Sequence, residues 1–250
     1  MLRAPFISRT PRNGWETTNL NETHYSYPMD WQALALTLKL ATVTTAILLA
    51  IAIPLAALLV LGRSRWLAAL EALAALPLVL PPTVLGFFLL VLLGTRTAFG
   101  RGIATILGHP LAFSFAGLVV GSVIYSLPFA VQPLVAGFAA VDSSLVDAAR
   151  LLGASRFRVV TTLLLPLARR SLIAAAVLSF LHTMGEFGVV LMLGGDIPGA
   201  TRTLSIVLYN QVENFDYAAA NRTAAILLGL SAIALAAIYL GRSSRGGRRA

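Results

Sequence analysis

Five apolar stretches, at about 34–61, 72–94, 111–140, 171–194 and 222–241, dominate the 250-residue chain and leave little of it for a water-soluble fold. A helix needs roughly 20 apolar residues to cross the hydrocarbon of a bilayer. Inside that layer every backbone N–H and C=O has to be satisfied within the protein, which a helix does by itself. Each stretch meets the length, so the sequence predicts an all-α, polytopic membrane protein with about five transmembrane helices. The third stretch is longer than one crossing requires and holds Pro128 and Pro133, which predicts a kink or tilt there. Composition agrees: 58% of the residues are hydrophobic and 12% charged, with a mean hydropathy of +0.83, where soluble domains carry roughly 25% charged residues.

Five crossings put the two ends of the domain on opposite sides. With the C-terminus inside, the inner side receives eleven arginines: 63, 65, 150, 156, 158, 169, 170, 242, 245, 248 and 249. The outer side receives Lys39, Arg96, Arg101, Arg202 and Arg222, plus three arginines of the first 28 residues. Positive charge favours the cytoplasmic side, so the expected topology is N-terminus outside and C-terminus cytoplasmic, in a cell (inner) membrane. The same rule explains the net charge of +9 without invoking nucleic acid. Cysteine is absent and the three histidines, His24, His109 and His182, are far apart, so neither thiolate nor histidine metal ligation is expected.

Residues 1–28 are polar, with no apolar run of the length a signal peptide needs. They are expected to be a disordered extension or a start-codon artefact, with the membrane domain over 29–241 and a basic cytoplasmic tail over 242–250.

The hydrophilic loop between the third and fourth stretches, VDSSLVDAARLLGASRFRVVTTLLLPLARRS, is the most informative segment. Leu145, Ala148, Ala149, Leu152 and the nearby Phe157 can form one apolar face, and Gly153 interrupts the helical pattern. That pattern predicts two short helices meeting at a glycine turn on the membrane surface, with basic residues suited to the headgroup region. The loop resembles the EAA motif of type I ABC importer permeases: Glu-Ala-Ala, three residues, Gly, nine residues, Ile, one residue, Leu-Pro. Asp147, Ala148 and Ala149 stand in the first three places, Gly153 follows at the required spacing with Ala154 after it, and Leu163 and Leu165-Pro166 close the motif. Asp for Glu and Leu for Ile keep charge and bulk. The resemblance implies that loop 142–170 carries a coupling helix docking into a cytoplasmic ATPase subunit.

Three other segments resemble the molybdate permeases of that family. They are LPLVLPPTVLGFFLLVLLG in the second stretch, MGEFGVV in the fourth, and DIPGATRTLSIVLYNQ after it. The Leu-Pro-Pro run fits those permeases better than the sulfate/thiosulfate ones; sulfate, thiosulfate or tungstate is the alternative cargo. Pro81 and Pro82, with Thr83 and Gly86, break a helix in lipid, which suits either a pathway-lining element or a kink used for packing. Gly185, Glu186 and Gly188 are the matching candidates in the fourth stretch. An intramembrane carboxylate is a functional candidate. The expected cargo is an anion, so a structural role for Glu186, paired or protonated, fits better than contact. His182, four residues earlier, is the candidate partner. Arg202 in the outer loop is suited to attracting an oxyanion, holding the loop or meeting a binding protein.

No phosphate-binding glycine loop, zinc-protease pattern or nucleophile elbow is present, so no catalytic residues and no cofactor are expected. The resemblance implies a homodimer of this chain in the lipid bilayer. It also implies a separate cytoplasmic ABC ATPase, and a periplasmic or lipid-anchored oxyanion-binding protein that delivers cargo. A membrane-embedded enzyme would need polar clusters within the spans, and a channel would have no use for a coupling motif.

Overall fold

The computed structural model describes residues 29–243, with side chains described as far as Ala236. The segment 1–28 and the basic tail from residue 244 onward lie outside the described residues, where the corresponding expectations fall. Among the described residues every regular element is helical. Three helices are long and apolar enough to cross a bilayer, and two sharply bent pairs raise the number to five if each pair is one span.

Helix α1 runs Trp31–Leu61 and starts earlier than the apolar run because Asp30 caps it, accepting a hydrogen bond from the Ala33 N–H at 2.9 Å. The second stretch is not one straight span. Helix α2 (Trp66–Ala75) passes through a 3₁₀ turn at Leu76–Leu78, and α3 (Pro82–Leu93) leaves at 107° to it. The cause is the proline pair. Pro82 forces its predecessor out of helical backbone, and Pro81 is extended (ψ 132°), while Pro82 itself fits the first turn of α3. An amphipathic helix that the apolar pattern did not announce follows: α4 (Ala98–Leu107), capped by Thr97 and ended by Gly108 at φ +76°.

Helix α5 (Phe115–Ala139) is capped by Ser114 and continues through Pro128 and Pro133. The surface loop then holds α6 (Ser143–Leu151), α7 (Arg156–Val159), a π turn at Val160–Leu164 and the short α8 (Leu165–Leu167). The chain bends by 82° into α9 (Arg169–Gly185). The expected fourth span, 171–194, is thereby corrected: it breaks at Glu186–Phe187, and α10 (Gly188–Gly194) is a separate seven-residue helix. Helices α11 (Leu204–Glu213) and α12 (Tyr217–Ser243) complete the fold.

The core lies among α1, α5 and α9. Leu48, Ala52 and Ala56 of α1 meet Ala130, Leu134 and Phe138 of α5 and Ala175 of α9, all buried. Alanines on α1 let the helix axes approach closely, which matters in lipid because association there depends on packing rather than on escape from water. Leu164 and Val159 of the loop are buried against the same cluster, so the loop is seated on the helical body.

Candidate functional site

The loop forms the helix–turn–helix that its sequence predicts. Asp142 caps α6 by accepting from the Ser144 N–H at 2.9 Å. That hydrogen bond holds its carboxyl below the usual carboxylate range. At the far end Gly153 N–H donates to Arg150 O (2.9 Å) and Ala154 N–H to Ala149 O (3.0 Å), the paired bonds of a Schellman turn. The turn needs left-handed backbone at Gly153, which has φ +81°. A side chain there would meet no atom within 4 Å, so the glycine is required by its backbone and not by crowding. Ser155 then caps α7, accepting from the Arg158 N–H at 3.3 Å.

The expected single apolar face divides in two. Val146 is buried, and Ala149 and Ala154 pack against the core beside Leu163 and Leu165, whereas Asp147, Ala148 and Pro166 are exposed. On the outward side Leu145, Leu152 and Phe157 project into solvent, Leu152 with 89% of its surface exposed. Leu151, equally exposed, joins them. Helical periodicity missed it because α6 ends there, and beyond a helix end the period no longer assigns a face. These exposed apolar side chains lie on a loop that also carries Arg156 and Arg158.

The second group of candidates converges in space. Helices α3 and α10 pack directly, and the contact runs through their glycines. A Cβ on Gly86 would stand 2.8 Å from Met192 Cβ and 3.0 Å from Val189 Cα. One on Gly188 would stand 3.0 Å from Pro82 Cβ and 3.2 Å from the Thr83 nitrogen. Pro82, Thr83, Gly86 and Gly188, from two distant segments, therefore belong to one junction. Pro81 and Thr83 are exposed there, and Gly185 is exposed in a hollow that it lines with Phe187, Ser205 and Tyr209.

Glu186 sits at the break between α9 and α10 and is 4% exposed. The expected pairing with His182 does not occur. Helix α9 ends at Gly185 and Glu186 is extended (φ −65°, ψ 132°), so the one-turn offset that brings residues four apart together no longer applies. His182 instead stacks on Phe129, with ring centroids 3.8 Å apart, and lies 4.9 Å from Tyr125. Neither Glu186 oxygen nor His182 Nε2 has a hydrogen-bond partner. The hydroxyl beside Glu186 is Ser122 of α5, close but outside hydrogen-bond geometry. One turn further along α5, Ser126 bonds to Thr183 of α9 at 3.1 Å. Ser122 and Ser126 were not legible as partners because small hydroxyls within an apolar run carry no periodic signal.

Arg202 is held by Asp196, Nε to Oδ1 at 2.5 Å, and Asn210 Nδ2 donates to the same carboxylate at 2.7 Å. The hollow that Arg202 lines also carries Asp30 and Asp216. One guanidinium among three carboxylates is a poor attractor for an anion. The geometry therefore supports the loop-holding role among those considered for Arg202. Among the described residues no group of three or more His, Asp or Glu side chains is placed to hold a metal ion.

The protein family described as binding-protein-dependent transport system inner membrane component matches residues 49–242. The chain belongs to this family. The permease is 47% identical over 219 residues to the molybdenum transport system permease protein ModB of Azotobacter vinelandii, covering 87% of this chain and 96% of that protein. It is 36% identical over 211 residues to ModB of Escherichia coli K12, covering 84% of this chain and 90% of that protein. Its fold matches an inward-facing structure of the MetNI methionine ABC transporter with a TM-score of 0.67 at 19% identity, over 85% of this permease and 95% of that chain. At that identity the likeness establishes the fold, that of type I ABC importer permeases.

Proposed function

We propose that this chain is the membrane-spanning subunit of an ATP-driven importer of molybdate. It crosses the membrane five times, with its N-terminal side outside and its C-terminus in the cytoplasm. Two copies pair around a central pathway, a separate ATPase docks on loop 142–170, and an oxyanion-binding protein delivers cargo to the outer face. The observation that carries the coupling role is the loop itself: a helix–turn–helix seated on the core by Val146, Ala149 and Ala154, with Leu145, Leu151, Leu152 and Phe157 turned outward. The molybdate reading is supported by the identity to molybdenum permeases across nearly their whole length.

In mechanical terms, ATP binding draws the two ATPase subunits together and the docked loops with them. The 82° junction passes that displacement into α9. At its other end α9 stops at Glu186, and α10 continues against α3 through Gly86 and Gly188. A tight contact of this kind moves as a unit, so α3 and α10 shift together between two arrangements. The pathway runs beside the exposed Pro81, Thr83 and Gly185. Glu186 is read as a structural group at the hinge, since it is buried at the break between α9 and α10 and not on the exposed edge that the pathway follows.

Reconstitution with the ATPase and binding protein in liposomes tests the cargo. Molybdate-loaded binding protein is expected to raise ATP hydrolysis severalfold over unloaded protein, with sulfate-loaded protein near the baseline. Stimulation by sulfate without stimulation by molybdate would overturn the assignment, and tungstate in a third arm shows how far selectivity extends.

A further inference from the structure

A hollow of about 410 Å³ lies between the C-terminal part of α1 and the segment that follows the surface turn. Ile53, Leu58 and Leu61 of α1 line it together with Val160 and Leu165 of the loop. Its volume is in the range of small-ligand sites, roughly 300–1,000 Å³. Its chemistry does not suit an oxyanion. The polar side chains on it are the exposed Thr161 and Arg156, and the Thr161 hydroxyl is already committed to Phe157 O at 2.9 Å. The π turn at Val160–Leu164, a geometry that often marks functional positions, builds part of the wall.

The dimensions and charges of the hollow specify its occupant. The α1 wall runs from Ile53 to Gly62, about 14 Å at 1.5 Å per residue, which is close to half of a hydrocarbon layer about 30 Å thick. The hollow is thus long enough to take a large part of one acyl chain. Arg156, the one charged residue that lines the hollow, is exposed at the start of α7, and α1 ends at Leu61 on the opposite wall. Among the described residues the Arg156 guanidinium has no ion-pair partner and no side-chain hydrogen bond. An unpaired guanidinium beside an elongated apolar hollow complements an amphiphile with an anionic phosphate head, since guanidinium matches phosphate geometry.

We propose that this hollow binds one acyl chain of an anionic phospholipid of the cytoplasmic leaflet, with Arg156 at the mouth holding the phosphate. The leaflet assignment rests on the topology proposed above; the site itself does not. Bound there, the lipid bridges α1 and the return limb of the coupling loop.

The test uses the purified, delipidated full chain and native mass spectrometry, with phosphatidylglycerol and phosphatidylcholine of identical acyl chains added in parallel. The wild type is expected to retain phosphatidylglycerol at least about fivefold better, the difference one arginine makes near an anionic lipid head. Thr161→Phe fills the hollow and is expected to lose retention of both lipids. The exposed Arg156→Gln is expected to keep the chain-dependent binding and lose the preference, with an unchanged melting profile. Equal retention of the two lipids by the wild type would overturn the proposal, as would undiminished phosphatidylglycerol on both variants. Displacement by soluble glycerol phosphate would also overturn it, because it would reveal an anion site without a chain site. Topology is read separately, by labelling Ser155→Cys with a membrane-impermeant thiol reagent in this cysteine-free chain. Labelling from outside would reverse the leaflet and leave the lipid comparison intact.

Discussion

Gly153→Val is expected to reduce ATP-driven uptake by about tenfold or more while the transmembrane helices stay folded. The prediction follows from the backbone. Gly153 has φ +81°, where a β-branched residue is strained, at a cost of roughly 1–3 kcal/mol for holding such a conformation. Nothing lies within 4 Å of where its Cβ would stand, so the expected effect acts through the backbone of the turn and not through crowding at that carbon. If the docking-competent turn becomes the minor conformer, apparent affinity for the ATPase falls by that fraction, and about 1.4 kcal/mol already accounts for a factor of ten. Gly153→Asn is the control, since asparagine tolerates left-handed backbone and keeps the turn. Uptake by reconstituted vesicles, measured beside thermal unfolding of the detergent-solubilised protein, separates loss of coupling from loss of fold. Wild-type uptake by the valine variant would remove the loop from the mechanism.

Gly86→Val is expected to act on the fold itself. Its Cβ would stand 2.8 Å from Met192 Cβ and 3.0 Å from Val189 Cα, and the second of these is backbone, which cannot rotate away. Overpacking of this kind costs typically 1–3 kcal/mol, and valine adds two methyl groups beyond the first carbon. The expected result is a melting temperature lower by about 5 °C or more, at roughly 2–4 °C per kcal/mol for a chain of this size, with separation of α3 from α10. Gly185→Val, in the same neighbourhood but with open space around it, is expected to change the melting temperature little. Equal stability of the two variants would show that the close approach of α3 and α10 is not required.

Features that one physical constraint decides alone are legible in the sequence. Twenty apolar residues must cross a bilayer as helix, so α1, α5 and α12 were legible as long apolar runs. Gly153 was legible because a turn between two short amphipathic helices needs one residue free to take positive φ. The reading failed where tertiary contacts decide. An apolar run containing Gly185-Glu186-Phe187-Gly188 reads as one helix, and the break became visible only with α10 packed on α3 through Gly86 and Gly188. Helical spacing offers His182 as a partner of Glu186 only in a continuous helix, and α9 ends at Gly185. Pro81-Pro82 announced an interruption, but not the 107° angle at which α3 leaves. Asp196 was missed as the partner of Arg202 because a loop containing Pro198 and Gly199 has no period from which to read proximity.

Site-directed cross-linking from Leu152 tests the central claim most directly. The chain has no native cysteine, so Leu152→Cys introduces a single thiol on the exposed tip of the loop. In membranes containing the ATPase, a short thiol-reactive cross-linker is expected to join this position to the ATPase subunit, with a yield that changes when ATP is bound. Labelling of Leu152→Cys by an impermeant reagent from outside, with no cross-link to the ATPase, would contradict both the topology and the coupling role of the loop.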